Sequence, residues 1–397
     1  MTTSRSRGPT LAKNINRKLI YASLKKSRTA TRAELAAKLH LNKNTVNSIV
    51  DELIAFGFIR EIGLQKQRGA GRRAIGIEFA ASSRQAIGLQ IVQRMIQAVV
   101  TDLYATPLQT FNYHLPNTEP ETIVKAIGGL VDQIKETPVV QKLVGIGVGV
   151  PAIINSAHDT VIASSHLGWN QIPIKQMLEA SFSTEALFDN NVKLATLGEL
   201  WHGIGQENSH FTYCSFGTGV GCGFIVGGQL IRGQFELAGE LGHIVVDPGG
   251  PSCACGNTGC LEALVGLPAI YSRLSGKTGI PVEQWDVSML AELSHARHPA
   301  IDAELSKVGR WIGQALAHIV TLLNPKYIIC DGPLMIVADQ LLPIVREEMW
   351  KHALSYAVKD VRLVRSALYP YTSAIGAAAS VIAKFERRED PLEPMVF

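Results

Sequence analysis

Three cysteines lie within eight residues of one another in the second half of the chain, at Cys253, Cys255 and Cys260. His243 precedes them, and the Pro-Gly-Gly-Pro segment Pro248–Pro251 supplies turns that can bring its imidazole back to the thiols. One imidazole and three thiolates complete a tetrahedral zinc site. Because such a site has no open position for water, we predict one structural zinc ion per chain. Without metal the three thiols would be exposed and reactive, which makes that interpretation the weaker one.

The composition is that of a globular protein with more than one core. The chain has 397 residues, of which 46% are hydrophobic and 18% charged, and this length is enough for two or three domains. No apolar run reaches the length of a membrane span. No apolar segment typical of a signal peptide follows Arg5 and Arg7. We therefore expect a cytoplasmic protein with no membrane partner.

Charge divides the chain into a basic head and an acidic body. Residues 1–79 hold sixteen Lys and Arg against five Asp and Glu, a net charge of +11, and the remaining residues carry −7. This asymmetry predicts a polyanionic partner for the head alone. Net charge by itself does not separate nucleic acid from an anionic membrane surface.

Residues 1–80 carry the pattern of a winged helix-turn-helix domain. Apolar spacing predicts a helix over Leu11–Lys26. Thr31 and Glu34 form a capping box that begins a second helix, and Asn42 can cap a third. The start of the third helix carries side chains that suit base edges and phosphates, namely Lys43, Asn44, Thr45 and Asn47. A helical bundle with no DNA partner would show the same apolar spacing.

A basic hairpin follows the third helix. Two strands, Phe58–Gly63 and Ala74–Phe79, are predicted around a glycine-rich tip with four cations, Lys66, Arg68, Arg72 and Arg73. Glycines allow the tip to approach a DNA backbone closely. The helix-turn-helix and basic wing together favour operator DNA as the partner, with Arg68, Arg72 and Arg73 among the contacts. Since one such module buries too little surface for tight binding, we expect a homodimer or larger homo-oligomer on a palindromic site.

From residue 81 to residue 397, strand and helix patterns alternate, which predicts an α/β body. Strands are predicted over Ala86–Ile91, Ile96–Thr101, Val144–Val150, Ala186–Phe188, Thr212–Phe216 and Tyr327–Cys330, and helices over Pro120–Lys135, Val192–His202, Lys307–Leu323 and Ser373–Glu386. Glycine runs at Gly145–Gly149 and Gly217–Gly223 predict close approach of the backbone to a ligand or to another strand.

The run Gly217–Gly223, the segment Gly239–His243, the cysteine cluster and Pro325 before a buried strand resemble the ROK family, named for repressors, open reading frames and kinases. The resemblance implies a two-lobed, actin-like ATPase fold. The first lobe would span about residues 81–187 plus a C-terminal helix at about 375–397, and the second about 188–374. The N-terminal extension, with Thr-Arg-Ala-Glu-Leu followed by Leu-Asn-Lys-Asn-Thr-Val, resembles the family's repressor branch and xylose repressors in particular.

The same resemblance implies a sugar site in the cleft between the lobes. It places around the sugar Asn190, Asn191, Glu240, His243 and Glu262. Amides, carboxylates and an imidazole can together satisfy several sugar hydroxyls. His243 would bind zinc through one ring nitrogen and the sugar through the other, which couples the two sites.

Two departures from the family's kinases predict that this chain is not an enzyme and binds no ATP. Where those kinases have an Asp-x-Gly-Gly-Thr-type phosphate loop, this chain reads Gly88–Arg94, so that Val92 and Gln93 would crowd the phosphates. Where they have Glu-Asn-Asp, with the Asp as general base, this chain has Asn191 in the position of that Asp. An amide cannot take the proton but can still bind hydroxyls.

The leading hypothesis is a transcriptional repressor of carbohydrate utilisation genes that sugar releases from its operator. Xylose is the sugar that the resemblance implies, and other sugars or their phosphates stay open. One alternative is an active sugar kinase with a DNA-binding head. Another is a sugar-binding interaction protein whose basic head binds something other than DNA.

Overall fold

The basic N-terminal segment folds into three helices and a small sheet, which we call the head. A computed structural model describes residues 7–65, 74–181 and 186–387. The head elements are α1 (Arg7–Ser27), β1 (Thr29–Thr31), α2 (Arg32–Leu39), α3 (Lys43–Ala55), β2 (Ile59–Gln65) and β3 (Ala74–Phe79). The strands pair in the order β1-β3-β2, so the predicted helix-turn-helix with a flanking hairpin is confirmed.

Local capping fixes where the head helices begin. At α2 the backbone N–H of Glu34 donates to Thr31 Oγ1 at 3.2 Å, and that of Thr31 donates to Glu34 Oε2 at 2.7 Å. At α3 the side chain of Asn42 accepts from the N–H of Asn44 at 2.8 Å. His40 ends α2 in the left-handed region, at φ 53°, which turns the chain sharply toward α3.

Helix α1 has two apolar faces rather than one. Ile20 and Leu24 are fully buried in the head core. Leu11, Ile15 and Leu19, which share the predicted helical spacing, are instead 60%, 49% and 45% exposed. Periodicity identified the helix correctly, but it does not say which apolar face the head itself covers.

The first lobe is built on a five-stranded mixed sheet. Its elements are β4 (Gln85–Val92), β5 (Met95–Thr101), β6 (Pro107–His114), α4 (Pro120–Lys135), β7 (Leu143–Val150), β8 (Ile153–Ile154), β9 (Val161–Ser164), β10 (Trp169–Ile172), α5 (Ile174–Ser181) and β11 (Ala186–Asn190). The sheet order is β11-β7-β4-β5-β6, and β8–β10 form a small separate sheet. Helices α4 and α5 contact each other and, with the sheet, enclose a core of aliphatic side chains.

A helix, α6 (Asn191–His202), leads into the second lobe. That lobe consists of β12 (Phe211–Phe216), β13 (Val220–Val226), β14 (Gln229–Leu230), α7 (Leu261–Val265), α8 (Leu267–Thr278), α9 (Val287–His295), α10 (Pro299–Leu323), β15 (Tyr327–Asp331), α11 (Ala338–His352), α12 (Ser355–Val358) and β16 (Arg362–Arg365). Its sheet order is β14-β13-β12-β15-β16. Helix α10 begins eight residues before the predicted Lys307, because Pro299 occupies its first turn and His298 caps it.

The last helix, α13 (Thr372–Arg387), returns from the second lobe to the first sheet. Glycines in the sheet admit it: a Cβ on Gly88 would lie 1.9 Å from the carbonyl oxygen of Ala374, and one on Gly147 2.3 Å from that of Ala377. The close backbone approach predicted for the glycine run Gly145–Gly149 is therefore an approach to helix α13. Two sheets with α6 and α13 packed together confirm the predicted actin-like fold. Across the described residues, no helix is both long and apolar enough to cross a membrane.

The head packs directly on α13 and is not held by the chain connection alone. The hydroxyl of Tyr21 and the ammonium of Lys25 reach Glu386 Oε1 at 2.9 Å and 2.5 Å. The rings of Phe58 and Phe385 stack with centroids 6.1 Å apart. Near the connection, the guanidinium of Arg84 lies 3.6 Å from the Phe58 centroid. One apolar cluster runs from the head core into α13.

Candidate functional site

The four predicted metal ligands converge. One ligand atom from each of His243, Cys253, Cys255 and Cys260 lies within 4.8 Å of the others. Cys255 Sγ and Cys260 Sγ are 3.6 Å apart, and Cys253 Sγ is 3.7 Å from His243 Nδ1. Zinc–sulfur bonds of about 2.3 Å in a tetrahedron place two sulfurs about 3.8 Å apart. The donor set and its spacing therefore fit a tetrahedral zinc ion.

Tight turns build this cluster. Gly259, at φ 74°, packs so closely on the loop that a Cβ there would lie 1.6 Å from Asp247 O. The backbone N–H of Cys253 donates to Asn257 O at 2.8 Å. A backbone hydrogen bond at Asn257 lowers the pKa of the Cys255 thiol to about 7. Burial and the neighbouring thiols instead raise the pKa of Cys260 to about 12. Of these two thiols, Cys255 is therefore the one that more readily forms a thiolate, the form that binds metal.

His243 turns its two ring nitrogens to different neighbours. Nδ1 faces Cys253, whereas Nε2 lies 3.9 Å from Glu240 Oε2. The Glu240 side chain is 45% exposed. Burial raises the pKa of its carboxyl, and the negative charge of Glu262 raises it further. The charges of His243 and Lys193 lower the pKa but do not cancel the rise. A metal on Nδ1 leaves Nε2 beside this carboxylate for a hydrogen bond to a ligand.

Glu262 lies on α7, close to the turn between β12 and β13. Its Oε2 accepts a hydrogen bond from the N–H of Val220 at 2.9 Å. A Cβ on Gly219 would lie 3.0 Å from this oxygen and 2.7 Å from His166 Nε2. His166 belongs to the first lobe, between β9 and β10, so the two lobes meet here. His166 could not be identified from the sequence, because a single exposed histidine in a loop carries no spacing signal.

Asn190 and Asn191 have structural partners of their own. Asn190 Oδ1 caps α6 by accepting from the N–H groups of Val192 and Lys193, and its Nδ2 donates to Ala152 O. Asn191 Nδ2 donates to Ile91 O at 2.9 Å, and its Oδ1 accepts from Ser373 Oγ at 3.3 Å. Both the oxygen and the nitrogen of the Asn190 amide are therefore bonded to backbone groups, whereas Asn191 Oδ1 can accept a second hydrogen bond.

Gln93 connects the two lobes. It occupies the β4–β5 turn at φ 53°, and its Nε2 donates to Thr218 Oγ1 at 2.9 Å. Thr218 belongs to the glycine run of the second lobe. The side chain that was predicted to crowd a phosphate loop thus lies between the β4–β5 turn and the β12–β13 turn.

A buried ionic cluster also crosses from one lobe to the other. Arg232, in the loop after β14, pairs with Asp189 of β11 at 2.6 Å and with Glu236 at 2.8 Å. Lys193 pairs with Glu236 at 2.9 Å, and both side chains are nearly buried. Burial alone would raise the pKa of Glu236, but the hydrogen bonds and charges of Lys193 and Arg232 lower it. The sequence does not reveal this cluster, because its two halves, Asp189 with Lys193 and Arg232 with Glu236, are 43 residues apart in the chain.

In the head, the predicted DNA-reading residues lie at the start of α3. Lys43, Asn44 and Asn47 are exposed, and Thr45 is half-buried. The predicted wing residues Arg68, Arg72 and Arg73 lie outside the described residues.

The two-lobed fold is shared with transcriptional regulators and sugar kinases of known structure. The chain belongs to the ROK family, whose model matches residues 86–384. The chain is 27% identical to the xylose repressor of Bacillus subtilis, over 95% of this chain and 97% of that protein. Among solved structures it resembles a ROK family transcriptional regulator, homologous to the Mlc protein of Escherichia coli. That match has a TM-score of 0.80 and 22% identity, and it covers 95% and 97% of the two chains. A ROK family glucokinase from Streptomyces griseus, in complex with glucose and AMPPNP, matches 74% of this chain and 98% of its own with a TM-score of 0.63 and 27% identity.

Proposed function

We propose that this protein is a sugar-responsive transcriptional repressor that acts on carbohydrate utilisation genes in the cytoplasm. The observation that carries the proposal is the direct packing of a helix-turn-helix head on the C-terminal helix of a sugar-kinase-like body. The xylose repressor of Bacillus subtilis matches the head and body together over 95% of this chain. The glucokinase matches 74% of the chain.

The sugar is held in the cleft beside the metal cluster by Glu240, His243 and Glu262, with Asn191 as a further hydroxyl partner. The approach of His243 Nε2 to Glu240 Oε2 supports this set, since a carboxylate and an imidazole side by side can bind neighbouring hydroxyls. Asn190, the fifth predicted residue, positions its neighbour through the α6 cap. Xylose is the first candidate for the effector, by likeness to the Bacillus subtilis repressor.

Zinc, one ion per chain, holds the loop that carries these residues. His243, Cys253, Cys255 and Cys260 would bind it, and the ion supplies a rigid crosslink rather than chemistry. His243 is then fixed in one orientation, with Nε2 presented to the cleft.

A second candidate function is sugar phosphorylation, and the likeness to a glucokinase favours it. Against it stand the neutral amide of Asn191 and the Gln93–Thr218 hydrogen bond across the space between the loops. We propose that the protein binds no ATP and transfers no phosphoryl group. Sugar-dependent release of ADP by the wild-type protein, abolished in Asn191→Ala, would support the kinase instead.

Operator DNA is read by the start of α3, through Lys43, Asn44, Thr45 and Asn47, with Arg68, Arg72 and Arg73 contacting phosphates or the minor groove. The protein binds as a homodimer on a palindromic site. The exposed apolar stripe on α1 supports self-association, because three aliphatic side chains at Leu11, Ile15 and Leu19 would otherwise face water.

The experiment selects duplexes from a random pool with the full-length protein and then measures fluorescence anisotropy of the selected DNA. Binding should be sequence-selective and salt-dependent, and D-xylose should weaken it while an equal concentration of sorbitol should not. Sequence-independent binding would contradict the operator assignment. Tighter DNA binding in sugar would reverse the sign of the response.

A further inference from the structure

A cavity separate from the cleft lies where the head meets the body. Its volume is about 510 Å³, which is the size of a small-molecule site. Helix α1 forms one wall, and Tyr104, Trp201 and Glu386 form the other. We call this space the junction cavity. Because its walls come from the head, the first lobe, α6 and α13, any ligand in it touches the contact that holds the head.

Positive charge dominates the junction cavity. Lys18, Lys25, Lys26 and Arg28 line it, and Glu386 is the single carboxylate among the described lining residues. Glu386 Oε1 is already engaged by Lys25 at 2.5 Å and by the hydroxyl of Tyr21. Within the described part of the chain, no carboxylate oxygen pairs with Lys18, Lys26 or Arg28. Lys26 and Arg28 are exposed, and Glu78 and Asp102 lie near enough to act electrostatically on Tyr104. Cations that outnumber the carboxylates lining a concave site still attract an anion.

Two aromatic rings stand beside these cations. The guanidinium of Arg28 lies 4.9 Å from the Tyr104 centroid, and the ammonium of Lys25 lies 4.9 Å from the Trp201 centroid. Arg28 adopts φ 64°, an uncommon conformation for a residue with a side chain. The rings orient the cations through cation–π contacts and offer apolar faces to the uncharged part of a ligand.

We propose that the junction cavity binds a small phosphorylated metabolite. Its phosphate would be held by Lys26 and Arg28, and its remaining atoms would pack on Tyr104 and Trp201. A DNA duplex is the less suitable occupant, because residues of the body close the cavity on the side opposite α1. The polar start of α3, in contrast, is exposed and leaves room for a duplex. Charge-assisted hydrogen bonds from guanidinium and ammonium groups are the strongest that a phosphate accepts.

The test titrates the full-length protein with pyrophosphate at constant ionic strength, by isothermal calorimetry. We expect saturable binding and a rise in melting temperature. The double variant Lys26→Gln/Arg28→Gln should bind about 100-fold more weakly, since each of the two lost charge-assisted bonds is worth about a tenfold change. Its matched control, Lys38→Gln/Lys125→Gln, removes two exposed cations elsewhere and should bind like the wild type.

A cleft variant separates this site from the sugar site. Glu240→Gln should bind pyrophosphate with the wild-type affinity. No saturable binding by the wild type, equal weakening in the two double variants, or a loss in Glu240→Gln would each overturn the proposal. Circular dichroism melting without ligand checks that both double variants are folded.

Discussion

We expect Glu240→Gln to bind DNA normally but to respond to sugar only at much higher sugar concentrations. Glu240 Oε2 lies 3.9 Å from His243 Nε2 in the proposed cleft. Glutamine keeps the shape of the side chain while it removes the charge and replaces one acceptor oxygen with a donor. The variant therefore tests the hydrogen bond and not the packing.

The expected magnitude follows from the charge of the lost acceptor. A hydrogen bond to a charged group contributes about 1.5–3 kcal/mol, so the sugar Kd should rise by about 10- to 100-fold. DNA affinity without sugar should change by less than about twofold, because surface changes away from an interface cost about 0.5 kcal/mol or less. Among the described residues, no hydrogen bond or ion pair joins Glu240 to the head.

The assay titrates D-xylose into a preformed complex of protein and labelled operator and follows anisotropy. Glu292→Gln, an exposed carboxylate on α9, is the matched control and should behave as the wild type. A wild-type sugar Kd in Glu240→Gln would show that this carboxylate does not touch the sugar. Loss of DNA binding in the absence of sugar would show instead that Glu240 supports the fold.

Three further changes test the metal, the DNA surface and the phosphate loop. Cys255→Ser should lower the zinc content below one ion per chain and lower the melting temperature; metal analysis that finds no zinc in the wild type would refute the site. Asn44→Ala should reduce the difference in binding free energy between operator and random DNA by about 1–3 kcal/mol. The stability of the protein should not fall, since only the backbone N–H of Asn44 is used in the α3 cap. An unchanged preference for the operator would show that Asn44 does not contact the bases. Gln93→Gly should not produce sugar-dependent ATP hydrolysis, because Asn191 still cannot act as a base; measurable turnover would contradict that reasoning.

The elements that were predictable from sequence are those with local signals. The capping box at Thr31 and Glu34 fixed the start of α2, and α4 begins at Pro120 as predicted, because a cap or a first-turn proline acts within one turn. A first-turn proline also stands at Pro299, where α10 begins eight residues before the predicted Lys307.

Contacts between lobes were not predictable, because nothing in the local pattern encodes them. The partners Gln93 and Thr218 are 125 residues apart, and the sequence indicated only that Gln93 is too large for a phosphate loop. Asn190 illustrates a different difficulty. An asparagine before a helix suits a cap and a ligand equally well, and the two hydrogen bonds that Asn190 Oδ1 accepts from the N–H groups of Val192 and Lys193 show the cap.

Helix α13 contacts Asn191 at one end and the head at the other, and this leads to a last prediction. At one end of the helix, Ser373 donates to Asn191 of the proposed sugar site. At the other end, Glu386 holds Tyr21 and Lys25 of the head. We expect a rigid helix between the two to transmit a change in lobe closure to the head, and sugar can act on DNA only through a difference in its affinity for the two arrangements.

Glu386→Gln should therefore reduce the factor by which sugar weakens DNA binding while the affinity for sugar alone stays near that of the wild type. The Lys25 and Glu386 side chains are 15% and 20% exposed, so the ion pair is largely shielded and its loss should cost about 1 kcal/mol or more of the coupling. Operator titrations with and without saturating D-xylose measure that factor in both proteins. Glu347→Gln, an exposed carboxylate that pairs with Lys351 on α11, is the control. If Glu386→Gln keeps the wild-type factor, the signal does not pass through the Glu386 contact with α1. The Phe58–Phe385 stack and the chain connection at Ala80–Arg84 then remain as routes between body and head.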